Sequence, residues 1–273
     1  MRKPGLIILK ALVYICAAIT VGVLAYIVLH IIINGISGVS WEFLTSDYQS
    51  GGGIFPMIVT TVYMIGIALA IAVPIGVFTA IYLTEYAKRG SRLVYLIRLA
   101  AESLSGIPSI IFGLFGMLFF VTALKWSWSL LAGAVTVSIM VLPTIIRSTE
   151  EALKAVPDAY REGSFGLGAG KLRTVFRIIL PSAAPGIITA IILSIGRIVG
   201  ETAAIMLTAG TVARIPQTVM QSGRTLSVHM YLLAKEGIDF SEAYATACVI
   251  IVVILGINAL TNFMVRRFNR GGS

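Results

Sequence analysis

Apolar residues are gathered into long runs along this chain rather than alternating with polar ones. Six runs stand out: Leu6 to Ile33, Met57 to Leu83, Leu104 to Leu124, Trp128 to Ile146, Pro185 to Thr208 and Ala243 to Val265. As helices rising ~1.5 Å per residue, each is long enough to cross about 30 Å of hydrocarbon. Strands of about ten residues with alternating hydrophobicity, the mark of an outer-membrane barrel, are absent. The pattern therefore predicts an all-α integral membrane protein with six transmembrane helices. The first run follows Arg2 and Lys3 as a secretory signal would, but it is about twice the length of a signal h-region and lacks a small-residue cleavage site. It is expected to be the first membrane helix.

Composition narrows the class further. Hydrophobic residues make up 58% of the 273 positions and charged residues 12%, with a mean hydropathy of +0.95; a soluble domain carries about 25% charged residues. A soluble enzyme is excluded. Cys16 and Cys248 lie in apolar runs near opposite ends of the chain, so neither a disulfide framework nor a metal cluster is expected, and no cofactor site is legible.

The net charge of +9 reads as topology. Arg2, Lys3 and Lys10 lie at the N-terminus; Lys88, Arg89, Arg92 and Arg98 lie between the second and third runs. Arg147, Lys154, Arg161, Lys171, Arg173 and Arg177 lie between the fourth and fifth, and Arg266, Arg267 and Arg270 at the C-terminus. That is 16 of the 21 basic residues on one side. Basic segments stay cytoplasmic, which predicts that both termini face the cytoplasm. Charge dispersed over four segments does not suit nucleic acid. On the opposite side, residues 34–56 and 209–242 are long enough to dock a partner or gate the outer mouth. Trp41, Trp126 and Trp128 suit an interfacial belt, and the lone His30 and His229 read as interfacial or surface residues. No soluble domain can be cut out, so residues 1–273 are expected to form one transmembrane domain.

The cytoplasmic segment 147–184 carries a pattern. Pro157 and Asp158 suit the first turn of a short helix, Gly166, Gly168 and Gly170 break it, and a second short piece runs from Leu172 to Leu180, ending at Pro181 and Pro185. Within it, Glu162-Gly163-Ser164 is followed after three residues by Gly168, and after nine more by Ile178, Leu180 and Pro181. This register resembles the Glu-Ala-Ala loop of the permease subunits of bacterial ABC importers, with Gly163 and Ser164 in place of the two alanines. The resemblance implies a coupling helix docked on an ATP-hydrolysing subunit, through Tyr160, Arg161, Glu162, Gly163, Ser164, Phe165 and Gly168. Gly166 to Lys171 superficially suggests a phosphate-binding loop, but Phe165 and Leu172 stand where that motif needs Gly and Ser or Thr. ATP hydrolysis is therefore expected of a partner, and the chain itself is not an enzyme.

The fifth run contains Arg197 and Glu201, which could pair at i,i+4. On a continuous helix Ser194, Arg197, Glu201 and Thr208 would share one polar stripe, with Gly196 and Gly200 on a face suited to close helix packing. Charge at that depth must be paired or face water. The arginine fork suits a tetrahedral oxyanion, while a carboxylate can accept a hydrogen bond from protonated phosphate. The string from Arg197 through Glu201, Thr202 and Ala203 to Ala204, with Ser105-Gly106-Ile107-Pro108-Ser109 and Gly113-Leu114-Phe115-Gly116, resembles the phosphate importer permeases, closest to the shorter of their two subunits. The resemblance covers about residues 50–268. It implies the MetI-like permease fold in a bacterial inner membrane and a substrate path through Arg197, Glu201, Thr202 and Ser194. The partners it implies are a second homologous permease, an ATP-binding subunit dimer and an extracytoplasmic phosphate-binding protein, all meeting in membrane lipid. The competing readings are a permease for another oxyanion and a self-sufficient, ion-coupled anion carrier.

Overall fold

In the computed structural model, which describes residues 4–88, 90–237 and 239–270, the chain is all helical. Helix α1 (Pro4–Gly35) leads through a short turn to α2 (Trp41–Thr45), α3 (Tyr48–Gly51) and α4 (Phe55–Ile81), which ends in a π-helical turn at Tyr82–Tyr86. Next come α5 (Arg92–Ser105), α6 (Ser109–Gly116) with a π-helical tail at Met117–Ala123, and α7 (Leu130–Lys154). Then follow α8 (Asp158–Gly166), α9 (Lys171–Thr174), a π-helical turn at Val175–Ile179, α10 (Leu180–Gly200), α11 (Ala203–Thr208), α12 (Leu226–Glu236) and α13 (Phe240–Arg270). Five of these stretches are long and apolar enough to cross a membrane, and the bent α5–α6 pair makes a sixth if counted as one span. Arg2, Lys3 and Arg89 of the basic tally lie outside the described residues.

The centre of the bundle is α4 against α7, with α10 and α11 closing over it. Met64, Ala68, Val137, Met140, Val141, Ile145, Ile198 and Ile205 are buried together there. Small residues set the spacing. A Cβ on Gly76 would stand 2.6 Å from Ile145 Cγ2, one on Gly186 2.6 Å from Ala152 Cβ, and one on Gly113 2.8 Å from the Ala204 backbone, so the helices touch through these glycines. Ser138 Oγ reaches across from α7 to the Ala68 carbonyl at 3.0 Å, as a buried hydroxyl in an apolar bundle must find an acceptor. By contrast α1 packs chiefly on α13 and is otherwise exposed over its apolar length, an arrangement suited to lipid.

Two of the expected spans depart from unbroken helices, and one connecting segment is folded back on the bundle. The run expected at 104–124 begins in the last residues of α5, and α5 and α6 meet at a 104° bend, because Pro108 at the head of α6 cannot donate to the preceding turn; α5 is a separate amphipathic helix. The fifth run is not one helix from Pro185 to Thr208. It begins earlier, running from Leu180 through Pro185, and stops at Gly200 with Glu201 extended (φ −74°, ψ 128°) before α11 starts. The short piece expected from Leu172 to Leu180 is therefore the lower end of this span, its register widened by the π turn. Finally, residues 209–242 are not an open loop. The carbonyls of Val219 and Gln221 accept from the amides of Leu131 and Leu130 at 2.8 Å each, satisfying the free N-terminal amides of α7, and α12 tucks back against α13.

Candidate functional site

Two places gather the residues that carry chemistry. The first is the break between α10 and α11. Gly186 meets Ala152 in the antiparallel α10–α7 packing, so eleven residues further on Arg197 is about level with Val141, roughly 16 Å from the Leu130 end of α7 at 1.5 Å per residue. This is the middle of the bundle. Arg197 is nonetheless exposed in the isolated chain and makes no hydrogen bond or ion pair among the described residues. Gly196 and Gly200 beside it have nothing within 4 Å of a Cβ, and Leu193 on the same side is exposed. The close packing expected of these two glycines is thus not made within this chain.

Glu201 is placed differently from its neighbour. It is 8% exposed, and its Oε1 accepts from the Ala204 amide at 3.0 Å, capping α11. The i,i+4 pair with Arg197 is not formed, because the backbone leaves the helix at Gly200 and the two side chains no longer share a face. The single polar stripe dissolves for the same reason: Ser194 and Thr208 are fully buried and bond back to the carbonyls of Ala190 (2.9 Å) and Ala204 (2.6 Å). Thr202, half-buried, lies in the break itself. Ser227 Oγ at the head of α12 donates to the Val199 carbonyl, satisfying an acceptor near the end of α10.

The second place is the α8–α9 hairpin. Pro157 and Asp158 open α8, and Gly168, at φ +80°, supplies the left-handed turn that ends it. Tyr160, Glu162, Gly163, Phe165 and Gly168 are exposed, as is Leu167 at 91%, a residue that the motif spacing passes over. Arg161 and Ser164, expected to face a partner, point inward instead. The Arg161 guanidinium is 16% exposed and the Glu85 carboxylate 8%, with Nη2 to Oε1 at 2.7 Å. These hydrogen bonds raise the guanidinium pKa above its already high value despite burial. Ser164 Oγ lies 2.8 Å from Thr174 Oγ1, tying α8 to α9.

On the opposite face of the bundle from this hairpin, His229 of α12 is fully buried, contrary to its expected surface position. Its Nδ1 lies 3.2 Å from Arg224 Nη1, which only donates, so Nε2 carries the proton and faces Glu242 Oε1 at 3.4 Å. Tyr48 stands edge-on to the ring. Burial and the Arg224 charge push the imidazole down to about 4. Between α5 and α7, on the hairpin face, Glu150 holds both Arg98 (2.5 Å) and Lys154 (2.6 Å) beside a cavity of about 460 Å³. No cluster of metal ligands occurs among the described residues.

Comparison with known proteins gives the frame for this geometry. Residues 72–271 match the family described as binding-protein-dependent transport system inner membrane component. A probable ABC transporter permease protein, YqgI of Bacillus subtilis, is 34% identical over 92% of this chain and 91% of its own length. The phosphate transport system permease protein PstA 1 of Mycobacterium tuberculosis is 34% identical over 81% of this chain and 73% of its own. Among solved structures, a bacterial alginate ABC transporter in complex with a periplasmic protein superposes with a TM-score of 0.71 at 17% identity, over 95% of this chain and 94% of that one. The MetNI methionine ABC transporter does so at 0.61 and 21% identity, over 79% and 94%. Both structural likenesses concern the fold alone. The 200 matched residues and the full-length likeness to permeases place the chain: it belongs to the binding-protein-dependent transport system inner membrane component family, as a multi-pass ABC importer permease subunit that is not itself an enzyme.

Proposed function

We propose that this permease subunit imports inorganic phosphate. The observation that carries the reading is Arg197, a guanidinium at mid-bundle depth with no counter-charge among the described residues of its own chain. An unpaired charge in hydrocarbon costs several kcal/mol, so it must meet a water-filled path or a partner subunit. The open surface formed by Leu193, Gly196, Arg197 and Gly200 suits a seam with a second homologous permease, along which a tetrahedral anion passes the planar fork. Phosphate is favoured over other oxyanions by relatives named as phosphate transport permeases. Glu201 and Thr202 shape the break beside Arg197, and Ser194 lines the buried back of the same turn.

Under this reading the α8–α9 hairpin lies in the cytoplasm with both termini, as the basic residues favour, and an ATP-binding subunit dimer docks on Tyr160, Glu162, Gly163, Phe165, Leu167 and Gly168. The 34–56 and 209–242 segments face an extracytoplasmic phosphate-binding protein. Proteoliposomes holding the assembled complex test the substrate. ATP-dependent uptake of labelled phosphate that excess sulfate and molybdate do not compete supports the reading, and equal competition by sulfate defeats it. A self-sufficient carrier would instead take up anion without any ATPase subunit present.

A further inference from the structure

The coupling helix α8 is attached to the bundle through one side chain more than any other. All three guanidinium nitrogens of Arg161 donate. Nε and Nη2 bond the Glu85 carboxylate, Nη2 also bonds the Leu153 carbonyl at 3.0 Å, and Nη1 bonds the Val156 carbonyl at 2.8 Å and Asp158 Oδ1 at 3.1 Å. Glu85 belongs to the π turn that ends α4; Leu153 lies in the last turn of α7, whose final carbonyls have no partner within the helix, and Val156 lies just past its end. One fork thus joins the ends of the two helices with the largest mutual interface to the element that a motor subunit would push. Lysine could supply the charge and three donors from a single nitrogen, but not the spread of five donors over three nitrogens that lets the planar fork bond all of these acceptors at once.

We infer that Arg161 is a positioning residue rather than a docking residue: it holds α8, the end of α4 and the end of α7 as one rigid unit, so that displacement of α8 moves the bundle core. This rests on the reading of α8 as the docking element, and it separates Arg161 from its neighbours. Tyr160 and Phe165 meet the partner; Arg161 passes the movement inward. A rigid element shared by two sites is what coupling between them needs.

The test uses the complete importer in nanodiscs, with Cys16 and Cys248 changed to serine and spin labels on Ala159→Cys of α8 and Tyr82→Cys at the end of α4. In the parent complex the distance between labels is expected to be narrow and the same with and without ATP. In Arg161→Lys it broadens, the ATPase subunits still co-purify, and transport per ATP hydrolysed falls about tenfold, within the range that loss of a coupling contact produces. Glu85→Gln, which keeps side-chain volume, provides the second variant and is expected to act in the same direction. Loss of co-purification with an unchanged label distance would make Arg161 a docking contact and overturn the inference, as would wild-type transport per ATP in both variants. The distance does not depend on the substrate, so a complex that fails to take up phosphate would sink the phosphate reading and leave this one standing.

Discussion

Glu201 Oε1 accepts a hydrogen bond from the Ala204 amide, so the carboxylate that follows Arg197 by one helical turn in sequence begins the next helix instead of neutralising the arginine. The division of labour has a stability consequence. Glu201→Ala removes the cap, and the chain is expected to lose about 1 kcal/mol, read as a lower thermal midpoint in detergent, while Glu201→Gln, which keeps an acceptor, loses less. Equal midpoints for wild type and Glu201→Ala would show that the carboxylate does not cap α11.

The glycines separate fold from assembly. Gly113 touches the Ala204 backbone, and adding the bulk of Gly113→Val forces α6 from α11, with an expected loss of about 1–3 kcal/mol from overpacking. Gly200→Val meets open space within this chain. It is expected to leave the isolated subunit's thermal midpoint unchanged and to reduce recovery of the second permease by co-purification. Equal destabilisation by both substitutions would place Gly200 in the chain's own core.

Legibility differs between these features for physical reasons. The spans show plainly because a helix in lipid needs an unbroken apolar run. The break at 201–202 does not, since Gly200-Glu201-Thr202 contains no proline and a glutamate is a weak cap by type; the acceptor contact from Ser227 and the packing of α11 are tertiary. On α8 the spacing identified the helix and its Gly168 turn, but nine residues are too few for periodicity to distinguish its faces. Arg161 and Ser164, three apart, do form an inward stripe, a signal that resemblance to a docking motif obscured. His229 read as a surface residue because the polar residues around it suggested a loop, whereas they return to cover it.

The burial of His229 makes stability depend on pH. Its imidazole is held near 4 in the fold against about 6.5 in the unfolded chain. The neutral ring's contribution is therefore complete above about pH 6.5 and is lost progressively as pH falls towards 4, at about 1.4 kcal/mol per unit of pKa difference. Arg224, Glu242 and Tyr48 face the ring, and Arg224 opposes a second proton. The thermal midpoint of wild type is expected to fall more steeply than that of His229→Gln between pH 6.5 and 4. Parallel curves would show that the ring does not titrate differently on folding.

Docking on α8 is expected to reside in its exposed apolar residues. Leu167→Ala and Phe165→Ala should each weaken co-purification of the ATPase subunits without altering the subunit's own stability, because surface truncations away from packed contacts change it by about 0.5 kcal/mol or less. Ser164→Ala, which breaks the buried bond to Thr174, should do the reverse, with a stability loss of about 1 kcal/mol. Unchanged partner recovery in Leu167→Ala with Phe165→Ala combined would remove this surface from the account.

Phosphate uptake and ATP hydrolysis by the assembled complex, compared between wild type and Arg197→Gln, decide whether the arginine lies in the translocation path. Arg197 has no partner in its own chain among the described residues, so the substitution is expected to leave assembly and hydrolysis in place while uptake falls at least about tenfold, the loss of a charge-assisted contact in the path. Wild-type uptake by Arg197→Gln would remove the arginine from the translocation path and leave the phosphate assignment without its structural support.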